Sequence, residues 1–418
     1  MNRTVCYVTQ WFSPEPVTVP VWIADSLRQQ GWRVKVLTGI PNYPDGVVMP
    51  GYRAIRRNRD RTAGFDVLRT PLFPSHDASA IGRALNYVSW AFSAALTGLA
   101  QVRAADVTLV YSSPATAALP AMLGRALFGR PYVLIIQDLW PDSVFASGMV
   151  RRGASFRIIN SILDGLTRLT YRQASRIAVI SPGMAAELAR RGVPEAKIGL
   201  VYNWTDERVF QPTDPDPSFR PSLGIDPKDF VLMYAGNLGA AQDLGNVIRA
   251  VATVSAPRAV HLVMIGEGLE KRSLEQLGRT LAPGRVHVLP ARAPEDLPAL
   301  MAAADFQLVS LRDEDLFRIT MPSKVQAALA TGSALLVSAA GDAARLVQDA
   351  RAGLTSPPGD AESLARAIEK AVSCSPEELQ LFRENALQCY RRDMASYIGS
   401  GRLNEMLMAA TRGSSRRR

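Results

Sequence analysis

The chain has 418 residues, 47% of them hydrophobic and 21% charged, a globular composition too long for one ordinary core. Its net charge is +10 and unevenly spread: residues 1–200 hold 23 Lys and Arg against 12 Asp and Glu, a net +11, which leaves −1 for the remainder. Cys6, Cys374 and Cys389 show no CxxC spacing and no two of His76, His261 and His287 lie at ligand spacing, which argues against a disulfide framework, structural zinc and a histidine-built metal site.

In chain order, MNRTVCYVTQWF leads directly into a strand, TVCYVT (4–9), without the charged and apolar regions of a signal peptide, so none is expected. PVWIADSLRQQG (20–31) has helical spacing and closes at a glycine, and RVKVLT (33–38) is the next strand. RAIRRNRDR (53–61) concentrates arginine with no aromatic residue between. The most apolar stretch, ALNYVSWAFSAALTGLA (84–100), is about one turn short of the ~20 residues that a membrane span needs. Asn86, Ser89, Ser93 and Thr97 mark a polar stripe along it, and it reads as a buried or membrane-surface helix. DVTLVYS (106–112), PYVLIIQ (131–137), SRIAVIS (175–181) and KIGLVYN (197–203) continue the strands, with helical patterns at 115–128, 155–173 and 183–191. This alternation predicts a parallel sheet covered on both faces.

A proline-rich stretch without apolar periodicity, 211–227, then reads as the tail of a linker. The alternation restarts with DFVLMYAG (229–236), AVHLVMIG (259–266), RVHVLPA (285–291), DFQLVS (305–310) and ALLVSA (334–339), and 376–412 reads as helices only. The expected organisation is therefore an N-terminal α/β domain over 1–205, a linker over 206–228, a second α/β domain over 229–390, and a C-terminal helix and basic tail over 391–418.

Parallel sheets bind ligands at the carboxyl ends of their strands, and two such domains facing each other would enclose a cleft. The first strand runs into QWFSPEP and not GxGxxG, which argues against a dinucleotide enzyme. The basic first half calls for an anionic partner. No nucleic-acid-binding motif accompanies it, so nucleic acid is not expected, whereas an anionic membrane surface, worth ~1 kcal/mol per nearby Lys or Arg, fits. In TMPSKVQAALATG (320–332) a helix starts at Pro322 or Ser323 just after a strand and its loop. Lys324 stands in its first turn, where the helix dipole disfavours a cation. Either it is a solvated lysine on an ordinary surface helix, or a phosphate-like anion sits at that helix start with Arg318 beside it.

PSKVQAALATG resembles the phosphate-side helix of family-4 glycosyltransferases, GT-B enzymes with two Rossmann-like domains. QWFSPEP (10–16), LTGIPNYPDG (37–46), PGYR (50–53), QDLWPDS (137–143), VISPGM (179–184) and YAGNLGAAQDL (234–244) extend the resemblance over most of the chain, and point to the subset that builds bacterial surface polysaccharides of the colanic-acid and O-antigen type. It implies a nucleoside-diphosphate sugar, UDP-linked by family habit, as donor, and an undecaprenyl-diphosphate-linked sugar at the cytoplasmic membrane face as acceptor. It also implies transfer with retention, and neither metal nor cofactor. For the donor it points to Gly236, Asn237, Gly239, Glu267, Arg292, Arg318, Ser323, Lys324 and Gln326. For the acceptor it points to Glu15, Asn42, Tyr43 and Trp140, and for catalysis to Asp138 and Asp142.

Each motif also has a plainer reading: Asp138 as a turn cap beside a packed Trp140, the proline loops as rigid turns, GEG (266–268) as a turn. The chain departs from the wider family in three places. Ile319 and Ala327 stand where two glutamates eight residues apart are usual, with Gln326 the nearest polar substitute and Asp313, Glu314 and Asp315 in the loop before. Asn237 and Gln242 replace an Arg and a Lys, and Gln137 replaces a histidine. Those losses keep two rivals open, a sugar-nucleotide epimerase or hydrolase using water, and a binding protein without chemistry.

Overall fold

The computed structural model describes residues 3–75, 80–143 and 154–415, so His76 and the terminal arginines of the predicted basic tail lie outside the described residues. The chain divides into two compact units, residues 1–202 with 397–418, and residues 203–396.

Among the described residues the first unit has an eight-stranded sheet. Its strands are β1 (Thr4–Val8), β2 (Arg33–Gly39), β3 (Asn58–Thr62), β4 (Phe65–Thr70), β5 (Val107–Ser112), β6 (Tyr132–Ile136), β7 (Arg176–Val179) and β8 (Ile198–Leu200). They lie in the order β3-β4-β2-β1-β5-β6-β7-β8. The central β1 pairs in parallel with β2 and β5, and its Val5, Cys6, Tyr7 and Val8 are fully buried, as a strand covered on both faces requires. β3 departs from the parallel expectation. It pairs antiparallel with β4 through a two-residue turn, Ala63 and Gly64, both with left-handed backbone. Its sequence NRDRT has no apolar alternation to announce a strand, and its charges suit an exposed sheet edge.

The apolar stretch forms an α-helix, Ala80–Thr97. Its polar stripe faces the protein: Asn86 is fully buried, Ser89 Oγ accepts from the Phe73 N–H at 2.8 Å, and the Ser93 hydroxyl donates to the Pro71 carbonyl. Ile81, Leu85, Val88, Phe92 and Leu96 recur every three to four residues and are 44–75% exposed. Among the described residues no helix is long and apolar enough to cross a membrane. The basic segment lies beside the chain that packs on the middle of this helix. Leu72 N–H donates to the Ala54 carbonyl at 3.1 Å, next to the Phe73–Ser89 bond, and Arg53, Arg56, Arg57, Arg59 and Arg61 are all exposed.

The second unit has a six-stranded, wholly parallel sheet among its described residues: β9 (Phe230–Ala235), β10 (Val260–Ile265), β11 (Val286–Leu289), β12 (Phe306–Ser310), β13 (Leu335–Ser338) and β14 (Gly353–Ser356), in the order β11-β10-β9-β12-β13-β14. Its core joins Phe230, Leu232, Leu262, Met264, Leu308 and Leu336 to the helices Leu244–Thr253 and Ala361–Ser373. The stretch expected as linker is part of this unit. Arg220 donates to the Ala303 and Asp229 carbonyls at 2.9 and 2.7 Å and pairs with Asp305 at 2.9 Å, so proline-rich chain without periodicity is pinned by one side chain.

The C-terminal helices divide between the units. Ser375 and Glu378 form a capping box that starts helix Pro376–Cys389 in the second unit. The last helix, Ser396–Ser415, returns to the first unit, where Trp32 Nε1 donates to Asn404 Oδ1 at 2.8 Å and Met406 packs on Gly199.

Candidate active site

Because parallel strands end along one edge, the loops after β1, β2, β5 and β6 are neighbours. Each carries a cis X–Pro bond: Ser13–Pro14, Tyr43–Pro44, Ser113–Pro114 and Trp140–Pro141. Glu15, expected to touch acceptor, is buried, and both its oxygens are occupied. Oε1 accepts from the backbone N–H groups of Asn42 and Tyr43, each at 2.9 Å, and Oε2 from that of Phe12 at 3.1 Å. Burial pushes its carboxyl up to about 7, against the pull of the three donors. Glu15 is a clasp between two loops. Asn42 is buried too: its amide donates to the Ile40 carbonyl and accepts from Asn86 Nδ2 at 3.1 Å, while Gln10 Nε2 donates to Asn86 Oδ1 at 2.5 Å. Glu15 thereby fixes the backbone at Tyr43, and Asn42 joins the same loop to Asn86.

Tyr43 begins a row of four rings. Its centroid is 5.5 Å from Trp11, Trp11 is 6.1 Å from Tyr87, and Tyr87 is 6.1 Å from Trp140. Asp138 lies beside the Trp140 end. Its side chain is exposed, Oδ2 accepts from the Ser113 hydroxyl at 2.8 Å, and desolvation by the surrounding protein pushes its pKa up against that bond. The second acidic candidate is already committed. Asp142 pairs with Arg191 at 2.5 Å, and Arg191 also donates to the Trp140 carbonyl and binds Glu187. Asp142 therefore holds the loop through its ion pair, whereas Asp138 faces no cation and is bonded among the described residues through Oδ2 to the Ser113 hydroxyl.

In the second unit the β9 and β10 loops touch. A Cβ at Gly266 would stand 1.9 Å from the Gly236 carbonyl oxygen, so glycine there permits the close approach. Gly236 in turn leaves room for Lys324, whose Nζ would lie 2.9 Å from a Cβ at 236. Lys324 enters from the first turn of helix Ser323–Ala330, which has no side-chain cap and no acid in that turn. Its Nζ sits 4.9 Å above the ring of Tyr234, whose hydroxyl donates to the Asn237 carbonyl at 2.6 Å. Among the described residues no carboxylate pairs with it, and burial pushes the amine down to about 8.

The other expected donor residues are unequal. Arg318, the second expected cation, is held by Asp313 through two bonds of 2.8 and 3.0 Å, so that acid and that cation answer each other. Glu267 is exposed and paired with Lys271 at 2.8 Å, which holds its carboxyl below the usual range. Asn237, Ser323 and Arg292 are exposed, and Gly239 is half-buried. Gln326 is buried, with its Nε2 lacking a hydrogen-bond partner, as does Gln242 Oε1. Ser113, Trp11, Tyr87 and Tyr234 join these sites without having been singled out from the sequence; the only signal for Trp11 was its place in QWFSPEP. Among the described residues no group of three or more His, Cys, Asp or Glu side chains is placed to hold a metal ion.

Comparison with known proteins decides the class. Residues 16–204 match a glycosyl transferase 4-like domain and residues 229–373 match glycosyl transferases group 1. The chain is a glycosyltransferase. WcaI of Escherichia coli K12, assigned by its name to colanic acid biosynthesis as a glycosyl transferase, is 27% identical over 334 residues, 78% of this chain and 81% of WcaI. WbjE of Pseudomonas aeruginosa, named as a glycosyltransferase, is 27% identical over 69% of this chain and 71% of its own. The crystal structure of Anabaena HepE in complex with UDP and glucose matches in fold, with a TM-score of 0.69 and 18% identity, over 98% of this chain and 100% of HepE. The glycosyltransferase thus has the GT-B architecture.

The two aspartates of QDLWPDS should separate cleanly. Asp138→Asn is expected to keep the melting temperature and lower kcat about 10²-fold, the range of a lost proton-handling or positioning group. Asp142→Asn should leave kcat within threefold and cost about 1 kcal/mol of stability, because its ion pair is partly exposed. Urea melts and turnover on the two variants check both.

Proposed function

We propose that this glycosyltransferase moves a sugar from a nucleoside-diphosphate sugar, UDP-linked, to an undecaprenyl-diphosphate-linked sugar, working as a peripheral enzyme on the inner face of the cytoplasmic membrane. The donor half of the proposal is carried by Lys324. A half-buried amine with no counter-ion among the described residues, at an uncapped helix start, is short of a negative charge, and a diphosphate supplies one. UDP is bound by HepE, and the same nucleotide suits the β9 and β10 loops here.

In the proposed reaction the C1–O bond to the diphosphate breaks while an acceptor oxygen bonds to C1 from the same face, so configuration is retained. The acceptor proton passes to the departing diphosphate. Lys324 and the N–H groups of the Ser323–Ala330 helix start stabilise the charge that develops there. Asp138 orients the acceptor hydroxyl, and no metal is required. The membrane half is supported by the outward apolar stripe of helix Ala80–Thr97 and the adjacent exposed arginines. A shallow apolar face with several cations gives reversible attachment to anionic bilayers.

Two measurements follow. Calorimetric affinity for UDP should fall on the order of 10–100-fold in Lys324→Met, the loss of one charge-assisted contact. In the wild type it should weaken as pH rises from 7 to 9.5, because the amine is charged below about 8 and neutral above, and the variant should lose that slope. Sedimentation with vesicles should need anionic lipid, weaken with salt and drop when Arg53, Arg56, Arg57, Arg59 and Arg61 are neutralised. Equal binding to neutral vesicles would contradict surface docking.

A further inference from the structure

Helix Ala80–Thr97 carries a second feature, about half a turn around from its apolar stripe. Arg83 and Tyr87 stand four residues apart and so share a face. Tyr87 is the middle of the ring row, between Trp11 and Trp140. Burial pushes its phenol up, Arg83 pulls it down and Asp138 pushes it up, so cation and carboxylate converge on one ring. Arg83 is half-buried, its Nε is enclosed without a hydrogen-bond partner, and among the described residues no carboxylate pairs with it. It stands in the first turn of its helix, with no acid there to answer it. An enclosed guanidinium N–H left unpaired is costly, and the planar fork of arginine matches the oxygens of phosphate two at a time.

Resting on the lipid-diphosphate acceptor proposed above, we propose that Arg83 binds a phosphate of that acceptor, and that the Trp11 and Tyr87 rings beside it stack the accepting sugar next to Asp138. A phosphate in this position has two sources, the acceptor itself or an anionic bilayer headgroup, and the inference commits to the acceptor. It also gives the ring row a purpose: flat aromatic faces suit the C–H face of a sugar, and the row ends beside the Asp138 carboxylate.

The test uses the full chain without vesicles, with UDP saturating so that the Lys324 site is filled. The probes are farnesyl diphosphate and farnesol, read by quenching of tryptophan fluorescence. The wild type should bind farnesyl diphosphate at least tenfold more tightly than farnesol. R83Q should lose tenfold or more for farnesyl diphosphate, with farnesol affinity, UDP affinity and melting temperature unchanged. R83K keeps the charge without the fork and should fall between; if R83Q does not fold, the selective loss is read on R83K. A wild type indifferent to the diphosphate would overturn the acceptor proposal itself. A wild-type preference that R83Q retains would overturn the role of Arg83 alone. Unchanged probe binding, together with lost sedimentation on vesicles of 70% phosphatidylcholine and 30% phosphatidylglycerol, would assign the phosphate to a headgroup and overturn the inference.

Discussion

Parallel strand pairing is the constraint from which the rest follows. Each crossover must return over the sheet, so the parallel strands of a unit all end along the same edge. In the first unit that edge gathers Trp11, Tyr43, Ser113 and Asp138 from four separate loops. In the second it brings Gly236, Gly266 and Lys324 together from segments nearly 90 residues apart. Glycines at 236 and 266 let those backbones approach, and the amine of Lys324 takes the space that a side chain would fill.

Within the first unit the polar groups hold the loops and the rings line them. Glu15 spends its carboxylate on three backbone N–H groups, and Asn86 ties Gln10, Asn42 and the Phe73 carbonyl together. Asn86 belongs to the helix whose opposite face is apolar and exposed. One element therefore presents the exposed apolar stripe, carries Arg83 and Tyr87, and is hydrogen-bonded to the loop that holds Tyr43. Enzymes that take acceptors from a membrane need these functions close together, because a long lipid leaves the bilayer only at a cost of ~0.8 kcal/mol per CH₂.

Much of the fold was legible in the sequence, since apolar runs alternating with amphipathic helices signal buried parallel strands. β3 and β14 were not, because an edge strand such as NRDRT has no core face to pattern it. Prolines erase periodicity over 211–227, and the pinned side chain of Arg220 needs none. At the candidate site, the places of Lys324 in the first turn of a helix and of Asp138 after a strand were readable from the sequence. The commitments of Arg318 to Asp313, Asp142 to Arg191 and Glu267 to Lys271 were not, because partners 49 residues apart, or across a turn, are set by tertiary packing. The polar stripe was visible along 84–100, yet not that it faces inward, since both faces of that helix are mostly uncharged.

In the proposed reaction Ile319 and Ala327 offer no carboxylate, and Lys324 is the charge assigned to the donor. The chemistry then rests on placement and on stabilising the leaving diphosphate, with little demand for a strong base. The most direct measurement offers the full chain labelled UDP-hexoses and UDP-N-acetylhexosamines, one at a time. The chain is bound to anionic vesicles that carry undecaprenyl-diphosphate-linked N-acetylglucosamine or galactose, with a metal chelator present. The account predicts that one donor's label enters the lipid phase with its anomeric configuration retained. Release of UDP and free sugar into water from every donor, with no label in the lipid, would contradict it.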